Sequence, residues 1–190
     1  MPLFGRRAGP GQARQEAERL MLACLPRLRR YARALMGERS AAHDLVQDTL
    51  ERGWQKLDSW QRGSDMRPWL FSIMHNLHAD QRRKPALATV GLDEAEAVAA
   101  VDTPSDRGLV LDLEAALRLL PAEQREVLLL VVLEDMRYEE VAATLGIPAG
   151  TVMSRLSRAR ERLRLLMDGG RSMSMRPDAA GGAAALKVVK

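Results

Sequence analysis

Two residues that punctuate helices, Gly146 and Pro148, stand two positions apart between a short apolar-periodic stretch and a long one. A glycine stops a helix because it enters the left-handed backbone region without a steric cost. A proline starts the next because the first turn leaves its missing N–H unbonded anyway. Tyr138 to Leu145 therefore reads as a short helix closed by Gly146, and Pro148 opens a longer helix to about Met167. Helix, tight turn and helix is the arrangement whose second member enters a DNA major groove. On a wheel of about 100° per residue, Val152, Leu156, Ala159, Leu163 and Leu166 gather on one side and form its buried face. Thr151, Ser154, Ser157 and Arg158 point away near the N-terminal end, where such a helix meets base edges. Arg155, Arg160, Arg162 and Arg164 lie on the flanks, within reach of phosphates.

Charge is asymmetric across this motif. Glu123 to Glu140 holds six acids against Arg125 and Arg137, net −4, whereas Gly150 to Met167 holds five arginines against Glu161, net +4. An ordinary solvated helix interleaves the signs. A merely solvated arginine face is the competing reading; the turn residues and the short outward Thr and Ser, which allow close approach, favour DNA.

The rest of the chain fits an all-α protein of two small helical domains. Its 190 residues suffice for one ordinary domain or two small ones; aromatics are 4%, and Leu, Ala, Arg and Glu dominate, which excludes an all-β sandwich. Leu20, Cys24, Leu28, Ala32 and Leu35 recur at helical spacing, with Pro26 expected to start or kink a helix. Gly37 ends that element, and Ser40 is the expected cap of a second helix with Leu45, Leu50, Trp54 and Leu57 on one face. A third helix is expected from Asp65, its cap, through Pro68, Trp69, Leu70, Ile73 and Leu77 to Arg82, Arg83 and Lys84. From Ala86 to Glu114 seven acids oppose one Arg107, net −6, among Gly and Pro residues. The expected division is a flexible start over 1–12, a helical bundle over 13–85, an acidic linker over 86–109, a helix-turn-helix unit over 110–167 and a disordered tail over 168–190.

Function classes narrow accordingly. The net charge is +4 and 25 of the 29 basic residues are Arg, whose planar fork suits phosphate and guanine, so a polyanionic partner is permitted. Cys24 stands alone, which excludes an internal disulfide framework or a cysteine-rich zinc site and fits a reducing compartment. No apolar run approaches membrane-spanning length, so a cytoplasmic chain without membrane insertion is expected. His75 and His78, at i and i+3, lack a third ligand nearby, and no Walker-type phosphate loop or nucleophile elbow occurs. Neither a metal, a cofactor nor enzymatic activity is expected.

The string LPAEQREVLLLVVLEDMRYEEVAATLGIPAGTVMSRLSRARERL resembles region 4 of bacterial sigma factors of the extracytoplasmic-function group. DLVQDTLERGW resembles the part of region 2 that docks on RNA polymerase, and WLFSIMHNLHADQRRK resembles its promoter-melting and minus-10 part. The resemblance spans about Leu20 to Met167. It implies binding to core RNA polymerase (β′ and β subunits), with the segment carrying Asp44, Gln47, Asp48, Glu51 and Trp54 packed against a coiled coil of β′, an acidic and amide surface suited to a basic partner helix. It implies that the loop Gln61 to Arg67, with Arg62, Ser64, Asp65 and Arg67, captures a flipped base, and that Asn76, Asp80, Arg82 and Arg83 also face the minus-10 DNA. Stacking aromatics suit such a task, although Trp69 reads as packing. Thr151, Ser154, Arg155, Ser157, Arg158 and Arg162 would contact the minus-35 element. Met153 departs from the family pattern, in which that position is often basic. Control by an anti-sigma factor is also implied. The alternatives are a helix-turn-helix regulator that does not dock on polymerase and a helical module that binds only proteins.

Overall fold

In a computed structural model of the chain, residues 10–83 and 113–174 are described, and every regular element among them is helical. The first unit consists of α1 (Pro10–Met36), α2 (Arg39–Gln55), a 3-10 turn (Leu57–Ser59) and α3 (Met66–Arg83). The second holds α4 (113–118), α5 (Ala122–Val132), α6 (Tyr138–Leu145) and α7 (Ala149–Ser174). The expected linker, and the tail beyond 174, lie outside the described residues.

α1 neither starts nor breaks at Pro26. Pro26 sits on the exposed side together with Leu22, so the carbonyl deprived of its N–H partner is at the solvent face, where the interruption costs least. The helix begins at Pro10, inside the segment expected to be flexible. Its buried stripe is Ala17, Met21, Cys24, Leu28, Tyr31, Ala32 and Leu35, and Leu20 is exposed. α2 is capped by Glu38 rather than Ser40: the Glu38 carboxylate accepts from the backbone N–H groups of Ser40 at 2.6 Å and Ala41 at 2.8 Å. Those bonds hold its carboxyl below the usual range. The buried face of α2 is Ala42, Leu45, Val46, Thr49 and Gly53, so Trp54 falls outside it. Gly53 lets the bundle close: a Cβ there would lie 3.1 Å from Leu70 Cδ2 and 3.4 Å from Met21 Cε. Asp65 does cap α3, accepting from the Arg67 N–H at 2.9 Å, and Tyr31 meets Phe71 edge-on with centroids 5.0 Å apart.

In the second unit Pro121 precedes α5, and Gly146, with φ +64°, turns α6 into α7 as the punctuation predicts. Glu140 reaches back from the first turn of α6 to accept the Arg137 N–H at 2.9 Å. α7 continues past Met167 to Ser174. The two units are not separate bodies on a tether. α1 packs on α5, α3 packs on α6, and buried apolar residues of both units form one continuous cluster.

Candidate nucleic-acid and polymerase interfaces

On α7 the buried stripe is Val152, Leu156 and Ala159, with Leu163 and Leu166 half-buried behind them. This phase turns Ser157, Arg158 and Arg162 fully outward and leaves Thr151, Ser154 and Arg155 at the rim. Ser154 Oγ donates to the Thr151 carbonyl at 3.1 Å, while an Arg155 guanidinium nitrogen lies 3.6 Å from a Glu123 carboxylate oxygen on α5. That pair is a loose surface contact, weak enough for a phosphate to replace. The motif therefore offers a small hydroxyl patch flanked by arginines at the start of a long helix, the geometry of groove reading.

A second surface lies on α2. Asp44, Gln47, Asp48 and Glu51 are all exposed and stand at i, i+3, i+4 and i+7, opposite the buried face of the same helix. Glu51 accepts from Gln55 Nε2 at 3.1 Å. Trp54, at 38% exposure, is capped by the Arg14 guanidinium 4.6 Å from its ring centroid, a cation–π contact at the edge of the stripe.

The loop before α3 carries Arg62, Ser64, Asp65 and Arg67. Gly63, with φ +83°, forms the turn, and Ser64 closes it by donating through N–H and Oγ to the Gln61 carbonyl. Asp65 and Arg67 engage each other at 2.7 Å; burial works to raise the Asp65 carboxyl, and the Arg67 bonds outweigh it. Arg62 lines a cleft of about 470 Å³ with Arg14, Trp54, Gln55, Asp58 and Trp60. At the far end of α3, Asn76, Asp80, Arg82 and Arg83 are exposed, with Arg83 paired to Asp80. The predicted residues thus form three surfaces: α7, α2 joined to the loop through the cleft that Trp54 and Arg62 both line, and the far end of α3.

A fourth cluster escaped the sequence reading. His75 Nδ1 and His78 Nδ1 on α3 lie 3.0 Å and 2.5 Å from the two carboxylate oxygens of Glu126 on α5. Burial works to raise Glu126, but the histidine hydrogen bonds and charges bring it down to about 2. Glu134, wholly buried, faces Arg30 at 3.0 Å and Arg27 at 3.6 Å from α1, and Arg125 donates to the Leu35 carbonyl at 2.6 Å. A hint existed: Glu126 heads the apolar run VLLLVV, and the two histidines share one face of α3. Among the described residues no group of three or more His, Cys, Asp or Glu is arranged to hold a metal.

Comparison with known proteins gives these surfaces a context. Residues 21–75 match the family described as the Sigma2 domain of PhyR, and residues 111–163 match Sigma-70, region 4. The chain is therefore a sigma-type, two-region helical protein. It is 40% identical over 152 residues to the ECF RNA polymerase sigma factor EcfG of Rhodopseudomonas palustris, covering 77% of this chain and 82% of that protein. It is 36% identical over 148 residues to the ECF RNA polymerase sigma factor SigL of Mycobacterium tuberculosis, covering 73% and 81% respectively. A solved structure of the sigma factor RpoE with the anti-sigma factor NepR from Bartonella quintana aligns at a TM-score of 0.66 and 35% identity, covering 81% of this chain and 98% of RpoE. The chain belongs to the ECF RNA polymerase sigma factor family.

Proposed function

We propose that the first unit docks this sigma factor on core RNA polymerase through Asp44, Gln47, Asp48, Glu51 and Trp54, and that α7 reads the minus-35 element through Thr151, Ser154, Arg155, Ser157, Arg158 and Arg162. The loop residues Arg62, Ser64, Asp65 and Arg67, with Asn76, Asp80, Arg82 and Arg83, take the minus-10 DNA, and the loop is the place for an unstacked base. Extruding a base costs a few kcal/mol, which stacking and phosphate contacts offset. The chain supplies binding only, and the polymerase supplies the chemistry. Its place of action is the cytoplasm; no described helix is long and apolar enough to cross a membrane. An anti-sigma protein is the expected antagonist, in line with the partner of RpoE, and exposed Leu22, Val132, Met153 and Leu165 are apolar points it can cover.

The observation that carries this reading is the pairing, on one chain, of an outward acidic and amide stripe with a groove-reading helix of opposite charge. In vitro transcription with purified core enzyme tests it. Wild type should initiate from a cognate promoter, while Asp48→Lys with Glu51→Lys should lose core association and keep its helicity. A charge-reversed chain that still binds core polymerase undiminished would remove the docking face.

A further inference from the structure

The cleft of about 470 Å³ that Trp54 and Arg62 share is built from three stretches of chain: Arg14 and Ala17 of α1, Trp54 and Gln55 at the end of α2, and the turn and loop that follow. Two of its features are left open among the described residues. Trp60 lines the cleft and is only 7% exposed, yet its indole N–H has no acceptor. A buried indole ordinarily finds one, because a desolvated donor without a partner is costly. Arg14 and Arg62 are both exposed, and no carboxylate among the described residues forms an ion pair with either. Asp58 is the one acid among the lining residues, so two cations face a single anion.

Arg14 is also held in place. Its guanidinium stands 4.6 Å from the centroid of the Trp54 ring. Stacking occupies the face of a guanidinium and leaves its N–H edge free to bond in plane, so the fork is presented with little of its freedom left to lose. Two forks and an indole N–H are donors only, and the group that matches them is one that only accepts: a phosphate. A strand fits better than a free anion because the cleft is continuous with the loop. Arg62 belongs to both, and on the functional reading above, on which this inference rests, the loop holds an unstacked base. The backbone of that strand must pass Arg62, where the cleft begins.

We infer that Arg14, Arg62 and the Trp60 N–H form a phosphate seat for the opened strand beside the captured base, which makes Arg14, near the start of α1, a DNA-contacting residue of the first unit. Such a seat carries no sequence information; it fixes the strand so that the loop meets the right base. A contact made only with separated strand also draws the promoter toward its open form, since binding shifts an equilibrium by its differential affinity for the two states.

Holoenzyme assembled from the full chain and core polymerase, bound to promoter DNA with a pre-opened minus-10 bubble and read by fluorescence anisotropy, tests the seat. Arg14→Ala should weaken bubble binding about five-fold and reduce the slope of log affinity against log salt by about 0.7, the share of one single-strand phosphate. Core association, helicity and binding to duplex carrying the minus-35 element alone should stay at wild-type values. Neutral methylphosphonates placed singly beside the captured base should reproduce the loss at one position in wild type, and there Arg14→Ala should lose nothing further. Trp60→Phe, which keeps the ring packing and removes the donor, should weaken the same binding about three-fold. Undiminished bubble binding by Arg14→Ala or Trp60→Phe, or losses that add at every position scanned, would overturn the inference. So would a fall in core association, which would give Arg14 to the polymerase, and so would stabilisation of the free chain by micromolar inorganic pyrophosphate that Arg14→Ala abolishes, which would give the cleft to a free anion. If Arg62→Ala loses the bubble while Arg14→Ala keeps it, the minus-10 reading stands and the seat falls; if wild-type holoenzyme does not prefer bubble to closed duplex, that reading falls and takes the seat with it.

Discussion

Replacing Glu126 with glutamine should uncouple the stability of the closed chain from acid. The carboxyl is 3% exposed, and its ordinary value of 4.5 falls to about 2 because two histidine rings hydrogen-bond to its ionised form. At roughly 1.4 kcal/mol per unit, that displacement corresponds to about 3 kcal/mol of stabilisation. The sign follows from linkage: a carboxylate whose folded value is depressed stabilises the fold fully above its unfolded value, and the contribution fades as pH falls from about 4.5 towards 2. Other groups share the site, with Tyr31 of α1 sensing the Glu126 charge and Arg125 adjacent, but neither titrates in that window. Glutamine keeps the shape and cannot ionise. Urea denaturation of wild type and Glu126→Gln at several pH values between 7 and 3 should show a gap of up to about 3 kcal/mol at neutral pH, narrowing steadily below pH 4.5. Glu161→Gln, a fully exposed partner of Arg164, is the control and should leave the curves superimposed. Two parallel curves for wild type and Glu126→Gln, or a gap within error at pH 7, would refute the assignment of a charged bridge between the units.

Gly146→Ala should cost about 1 kcal/mol, read as a lower melting temperature, because φ +64° strains any residue with a Cβ although nothing lies near enough to clash. Gly53→Val should destabilise by about 1–3 kcal/mol in the same measurement, since its side chain must enter space already taken by Leu70 and Met21. Arg158→Ala should weaken binding of the polymerase complex to minus-35 DNA by about 1–3 kcal/mol in fluorescence anisotropy while leaving the melting temperature unchanged, because the residue is exposed.

Signals that act within a few residues are legible in the sequence. Gly146, Pro148 and Asp65 act on their own backbone or on the next turn, so the bounds of α6 and the starts of α3 and α7 follow from neighbours in sequence. The face of α7 follows from period alone, because Val152, Leu156 and Ala159 leave one consistent side for the core and the opposite side for Thr, Ser and Arg. Leu20 and Trp54 were misplaced for a related reason. Each lies one position from a residue that takes the buried site, Met21 and Gly53, and only the direction of the packing neighbours decides between adjacent phases. Pro26 was tolerated because its side of α1 faces solvent, a fact of packing rather than of proline.

By itself, then, the order of residues determined an all-helical chain, its two units, the groove-reading motif and the charge of each surface. Those properties depend on backbone preference and on spacing within a few turns. Tertiary structure alone decided that the units close on each other and that Glu126 and Glu134 are buried. Their partners stand 48 to 107 positions away in the chain, at distances no local pattern encodes. A carboxylate in an apolar run looks like a misplaced charge until folding brings a histidine pair or an arginine pair against it.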